Sequence, residues 1–160
     1  MDKERNRKVY TPLQARLKLE SYCAYQERCQ QEVRDKLYEL GLHQEEVENI
    51  IAYLIENNFI NEERFAKAFV RGKFRMNDWG KIKIIQHLKA KRISTPLIKI
   101  ALTEIDEEEY IAKLDELIRK KVDKSLKKLS YNEKAKIVRY LQGKGYENDL
   151  IFQRLNFDSD

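Results

Sequence analysis

Apolar side chains recur along this chain at helical spacing, and the pattern itself recurs about every fifty residues. Val33, Leu37, Leu40, Leu42, Val47 and Ile51 are followed 51 positions later by Ile84, Leu88, Lys91, Ile93, Ile98 and Leu102. After a further 53 positions come Ile137, Leu141, Lys144, Tyr146, Ile151 and Leu155. Two constant offsets across six positions mark three related units. An array of such units offers a long surface more readily than a deep pocket, so the first expectation is a protein that binds something extended.

Start and stop signals divide each unit into three helices. In the first unit, Thr11-Pro12 places an N-cap before a proline at the first helical position, where its missing N–H costs nothing. That helix is predicted to run to about Tyr25. Cys29 and Glu32 have the spacing of a capping box and open a second helix that ends at Leu40-Gly41, with Gly41 as a left-handed cap. Gln44 to Asn57 carries the stripe Val47, Ile50, Ile51, Leu54 and Ile55.

The second unit opens at Asn61 and buries Phe65, Ala66, Phe69 and Val70. Asn77, Asp78 and Gly80 break the chain before a helix at Lys81 to Lys91, and Ser94-Thr95-Pro96 starts a short one through Leu102. The third unit begins with the box of Asp106 and Glu109 and the stripe Tyr110, Leu114, Leu117, Ile118 and Val122. Ser130 and Glu133 open Ala135 to Gln142, closed by Gly143 and Gly145, and Asp149 to Leu155 is the last helix. The fold class expected is all-α: three tandem three-helix repeats stacked into an elongated, curved array. Residues 1–58 hold the first repeat with an N-terminal extension, 59–104 the second, 105–155 the third, and 156–160 a loose tail.

Composition changes this picture little. With five glycines and two prolines in 160 residues and 37% of them charged, the chain suits amphipathic helices better than β-hairpins. The longest apolar stretches, Ile50 to Ile55 and Phe65 to Val70, fall far short of the ~20 residues of a membrane span, and the amino terminus is charged. A cytoplasmic monomer with no membrane contact is expected. Cys23 and Cys29, six apart, suggest neither a disulfide framework nor a metal site.

Charge changes it more. Residues 31–63 carry two basic and nine acidic side chains, whereas residues 64–92 carry ten basic and one acidic. A single lysine on a helix reads as solvated surface, but ten cations against one carboxylate read as a face for phosphates or acidic protein. Arg64, Lys67, Arg71, Lys73, Arg75, Lys81 and Lys83 are the candidate contacts. Trp79, beside Gly80 at a junction, is either a packing wedge or an exposed anchor.

The three-helix unit also resembles a DNA-binding helix-turn-helix, whose last helix must lie against phosphates. Here Gln44 to Asn57 has Glu45, Glu46, Glu48 and Glu56 and no Lys or Arg, which argues against major-groove reading. Nothing points to catalysis. His43 and His87 lack metal-ligand spacing, the glycines form no phosphate loop, and Glu107, Glu108 and Glu109 fit a helix's first turn. Tyr22, Tyr25, Tyr38 and Tyr53 read as core and boundary aromatics, and Cys29 as a cap. No enzyme, metal or cofactor is expected.

The run Phe59-Ile60-Asn61-Glu62-Glu63-Arg64-Phe65-Ala66-Lys67-Ala68-Phe69-Val70-Arg71, followed by Trp79-Gly80-Lys81-Ile82-Lys83 and Leu88 to Ile93, closely resembles the RecX family of bacterial recombinase regulators. Glu32 to Leu37 resembles it too, and the resemblance covers residues 15–155. The chain departs from the family at Cys29, where serine is usual, and at Arg92, where glycine is common. The resemblance implies a partner, the RecA recombinase: a protein lodged along the RecA filament on single-stranded DNA, hindering its growth, ATP hydrolysis and strand exchange in DNA repair, recombination and the SOS response. The alternative is a sequence-independent binder of single-stranded nucleic acid with no need of a recombinase.

Overall fold

The structure is a computed structural model that describes residues 9–122 and 126–156. The expected tail from residue 157 on and the charged amino terminus through residue 8 lie outside the described residues. Helices α1 (Pro12–Tyr25), α2 (Gln30–Glu39) and α3 (Gln44–Glu56) form the first unit. The second is α4 (Glu62–Asn77), α5 (Lys81–Ala90) and α6 (Thr95–Leu102), and the third α7 (Glu107–Lys121), α8 (Tyr131–Lys144) and α9 (Asn148–Leu155), with a 3-10 turn at Leu126–Lys128. The fold is thus all-α and built of tandem three-helix repeats.

Local signals set most helix starts. Thr11, Asn61, Asp106 and Ser130 each accept a hydrogen bond from the N–H three residues on, and Gln14 and Glu133 return it to Thr11 and Ser130. Cys29 N–H donates to Glu32 Oε1 at 3.2 Å, so the box works from its carboxylate side. One boundary differs from expectation: α8 starts at Tyr131 and contains Gly143, because Ser130 already caps it and only Gly145 has the left-handed conformation that ends a helix.

The repeat register explains an unusual backbone. Gly41, Arg92 and Gly145 occupy equivalent positions after the second helix of each unit, and all have positive φ, 90°, 62° and 98°. Each lets the following N–H reach back to a carbonyl of the last turn: Leu42 to Leu37, Ile93 to Leu88 and Tyr146 to Leu141. The helix–turn–helix angle of every unit depends on this conformation, and Arg92 holds it without the freedom of glycine.

Two apolar cores result. One fills the first unit, from Ala15 and Leu19 to Ile60. The other is continuous through the second and third units and takes in Cys29 from the first. The second-to-third joint is made by helix ends meeting head to tail. Gly80 N–H at the start of α5 donates to Lys144 O at 2.7 Å, and Ile82 N–H to Gly145 O at 2.9 Å, so otherwise orphan donors of one helix satisfy the acceptors ending another. A Cβ on Gly80 would lie 2.4 Å from Gly145 C and O, and one on Gly145 2.3 Å from Lys83 Cβ. Buried Tyr110 locks the joint: its hydroxyl accepts from Lys81 N–H at 2.9 Å and donates to Glu147, and its ring stacks on Tyr146 with centroids 5.2 Å apart.

The first-to-second joint repeats the same relation with other chemistry. The start of α2 meets the end of α5 through Lys91 Nζ to Glu32 at 3.6 Å and the start of α4 through Gln30 N–H to Glu62 Oε2 at 3.2 Å, and Arg64 of α4 is bonded to Glu27 beside it. Carboxylates replace the direct backbone contact.

Substitution of the glycines separates these roles. Gly80→Ala and Gly145→Ala, which push a methyl into backbone, are expected to cost about 3 kcal/mol or more. Gly41→Ala, with nothing within 4 Å of the new atom, should cost only about 1 kcal/mol for its left-handed φ. Thermal and urea denaturation of the three variants check the order. By the same reasoning Arg92→Gly relieves strain and is expected to add about 1 kcal/mol, raising Tm by about 2–4 °C.

Candidate partner-binding site

The second unit carries the basic block, and the structure sorts its cations into two groups. Five of the ten are paired to carboxylates: Arg64 with Glu27, Lys67 with Glu63, Arg71 with Glu104, Lys81 with Glu107 and Lys91 with Glu32. Arg64 also donates to Asn58 Oδ1 and to the carbonyls of Asn58 and Phe59, which makes it a clamp between the first two units. Lys81 lies over the Tyr110 ring at 4.6 Å beside its Glu107 contact, at the other joint. These two belong to the architecture as much as to any surface.

Of the remaining candidates, Lys73, Lys83 and Trp79 converge. Trp79 is half-buried, with Phe69 edge-on at 6.3 Å and His87 at 4.5 Å between ring centroids. Two ammonium groups lie over the indole, Lys73 Nζ at 4.9 Å and Lys83 Nζ at 4.6 Å from its centre. Such cation–π contacts are worth about 0.5–1 kcal/mol each at exposed sites. Trp79 thus packs against Phe69 as a wedge and carries charge over its indole. Arg75 is exposed on the last turn of α4, without an ion-pair partner among the described residues.

The joint places this cluster. Trp79 N–H donates to Lys73 O at 3.0 Å, Gly80 is held against Lys144, and Lys83 packs against Gly145 with its Nζ donating to Gly143 O at 3.3 Å. Asp78, the one acid in the basic block, is drawn off by Lys113 at 2.9 Å. His87, which lacks metal-ligand spacing in the sequence, lies one turn after Lys83 on α5 and against the Trp79 ring that precedes the helix. Its pKa is held below the ordinary imidazole value, first by burial and then by Lys83, Lys73 and Lys91, so it is neutral at pH 7.

Burial pushes the Cys23 and Cys29 thiols up to about 11, the opposite of an activated nucleophile. Among the described residues no group of His, Cys, Asp and Glu is arranged to hold a metal, and no helix is long and apolar enough to cross a membrane.

Three like helical units in tandem define an all-α repeat protein. The chain belongs to the RecX family: models described as the first, second and third three-helix domains of RecX match residues 15–54, 61–102 and 107–155. The regulatory protein RecX of Vibrio campbellii is 30% identical over 131 residues, covering 82% of this chain and 83% of its own. That of Lactobacillus johnsonii is 32% identical over 143 residues, covering 87% of this chain and 52% of its own, so the chain spans about half the length of that relative. The crystal structure of RecX from Lactobacillus salivarius superposes with a TM-score of 0.78 at 28% identity, over 91% of this chain and 95% of that one.

Both thiols should be silent in the folded chain. At pH 8 a thiol reagent is expected to modify Cys23 and Cys29 at least about 100-fold faster after denaturation, as the roughly two-unit difference from an ordinary thiol requires; labelling followed by mass spectrometry checks it.

Proposed function

We propose that this regulatory protein binds the RecA recombinase and its filament on single-stranded DNA, and thereby limits filament extension, ATP hydrolysis and strand exchange. Family membership supports a regulatory role, and the observation that carries the reading further is the form of the basic face. Half of its cations are neutralised within the molecule, and two of the others, Lys73 and Lys83, lie over one indole on the middle unit. A compact charged patch on a rigid array fits a protein surface of complementary charge, where it steers association and fixes register. Three units in tandem can engage neighbouring protomers at once, so modest contacts add up through effective concentration. A sequence-independent nucleic-acid binder would use a continuous run of free cations instead.

The test is the ATPase rate of the cognate RecA on single-stranded DNA with this protein titrated in at two salt concentrations. Inhibition well below one copy per protomer is expected. No inhibition, with DNA binding that vanishes as salt rises, would overturn the reading. Lys73→Glu, Arg75→Glu and Lys83→Glu together are expected to weaken inhibition at least about tenfold while leaving the helical circular dichroism intact, since a reversed charge costs several times a lost rim contact. Arg64→Glu and Lys81→Glu are expected to lower Tm as well, because they break the joints.

A further inference from the structure

The Lys73–Trp79–Lys83 cluster has a chemistry narrower than "basic face". We propose that it is a docking point for an acidic peptide segment of a protein partner, with carboxylates on the two ammonium groups and an adjoining apolar side chain on the open part of the indole. The proposal rests on reading the chain as a recombinase regulator and names the chemistry by which its partner is held.

Four features carry it. First, the two ammonium groups are short of acceptors. Lys73 Nζ touches only the Phe69 and Trp79 rings, at 5.5 and 4.9 Å, and Lys83 Nζ has a single long bond to Gly143 O, so five of their six N–H donors have no protein acceptor among the described residues. Secondly, the cluster is fixed in advance: α4 and α5 hold the lysines, and the packed indole sets their separation, so little side-chain freedom is left to lose on binding. Thirdly, local charge is positive without an intervening acid. Asp78 is committed to Lys113, and no carboxylate pairs with Lys73 or Lys83 among the described residues.

Fourthly, the surroundings select peptide over nucleic acid. Beyond the cluster four cations of the basic block are already paired, Lys67 with Glu63, Arg71 with Glu104, Lys81 with Glu107 and Lys91 with Glu32, while Arg75, Lys89 and Arg92 have no ion pair among the described residues. A sugar–phosphate backbone gains most from a row of free cations, and these pairs interrupt one. The indole face is also occupied by the ammonium groups, so it does not offer the bare ring on which a base stacks. A short acidic segment needs only the cluster.

Trp79 is the single tryptophan of the chain, so its fluorescence reports the site without a label. The probes are a short synthetic peptide with glutamates and aspartates flanking a leucine, its glutamine and asparagine counterpart, and a thymidine oligonucleotide of equal charge. Titrations use the full chain at about 150 mM salt, where the Debye length is about 8 Å. The acidic peptide is expected to give a saturable change that the amide counterpart does not, and to bind at least tenfold more tightly than the oligonucleotide. Lys73→Gln is expected to weaken it by about tenfold, as loss of a charge-assisted contact does; this side chain contacts only rings, so the fold is not at stake, and Lys83→Gln, which keeps the packing against Gly145, serves as the second variant. No response to the acidic peptide, equal binding of the oligonucleotide, or unchanged affinity in both variants would overturn the proposal. The same samples go into the RecA ATPase assay. Inhibition by a chain whose Trp79 ignores the acidic peptide sinks the docking point alone, whereas peptide binding with no inhibition upholds the docking point and sinks the recombinase reading.

Discussion

The contact between the start of α5 and the end of α8 is what the rest of the molecule depends on. Two N–H groups that a helix cannot satisfy for itself meet two carbonyls in the same position at another helix's end, and the opposed partial charges of the helix termini favour the meeting. It requires backbone against backbone, hence glycine on both sides. Once made, it fixes the Tyr110–Tyr146 stack, carries one core through two units, and sets the residues on either side of Gly80. Those residues are Trp79 and Lys81-Ile82-Lys83, so the geometry of the charged cluster is inherited from the joint.

The two joints answer to different conditions. Between the first and second units, much of the contact runs through partly exposed pairs, Arg64–Glu27 and Lys91–Glu32, which salt screens and which are individually worth at most about 1 kcal/mol. Cys29, buried in the shared core, adds an apolar contact that salt does not weaken. Between the second and third units the bonds are backbone-to-backbone and the aromatics are fully buried, so salt has little hold there. The candidate site lies on the side of the second unit that faces the more firmly held joint.

Most of the architecture was legible in the chain because its determinants are local. Caps at Thr11, Asn61, Asp106 and Ser130 act within three residues, and apolar stripes at helical spacing mark which face is buried. The left-handed conformation of Arg92 was not read from the sequence, where it stood only as a departure from the family's glycine, although it falls in register with Gly41 and Gly145. The joint was not legible: Gly80 and Gly145 are 65 residues apart, and each alone reads as a helix boundary. Nor was the pairing of charges. Glu27 with Arg64, Glu104 with Arg71 and Glu107 with Lys81 are distant in sequence, so a block of ten cations looked like one face when half of it is spent inside the molecule.

That division bears on how a strongly charged, pI 9.1 chain avoids indiscriminate binding. Net charge attracts any polyanion at long range, but at contact only unpaired cations in a fixed arrangement discriminate among them. Here carboxylates pair half of the block's cations, which leaves fewer free charges for an extended phosphate backbone, while Lys73 and Lys83 stay without a carboxylate partner among the described residues. Specificity then comes from what surrounds Lys73 and Lys83 as much as from the two lysines themselves. Two of these carboxylates, Glu32 on Lys91 and Glu107 on Lys81, also join neighbouring units, so pairing that removes free cations from the block also helps to hold the array.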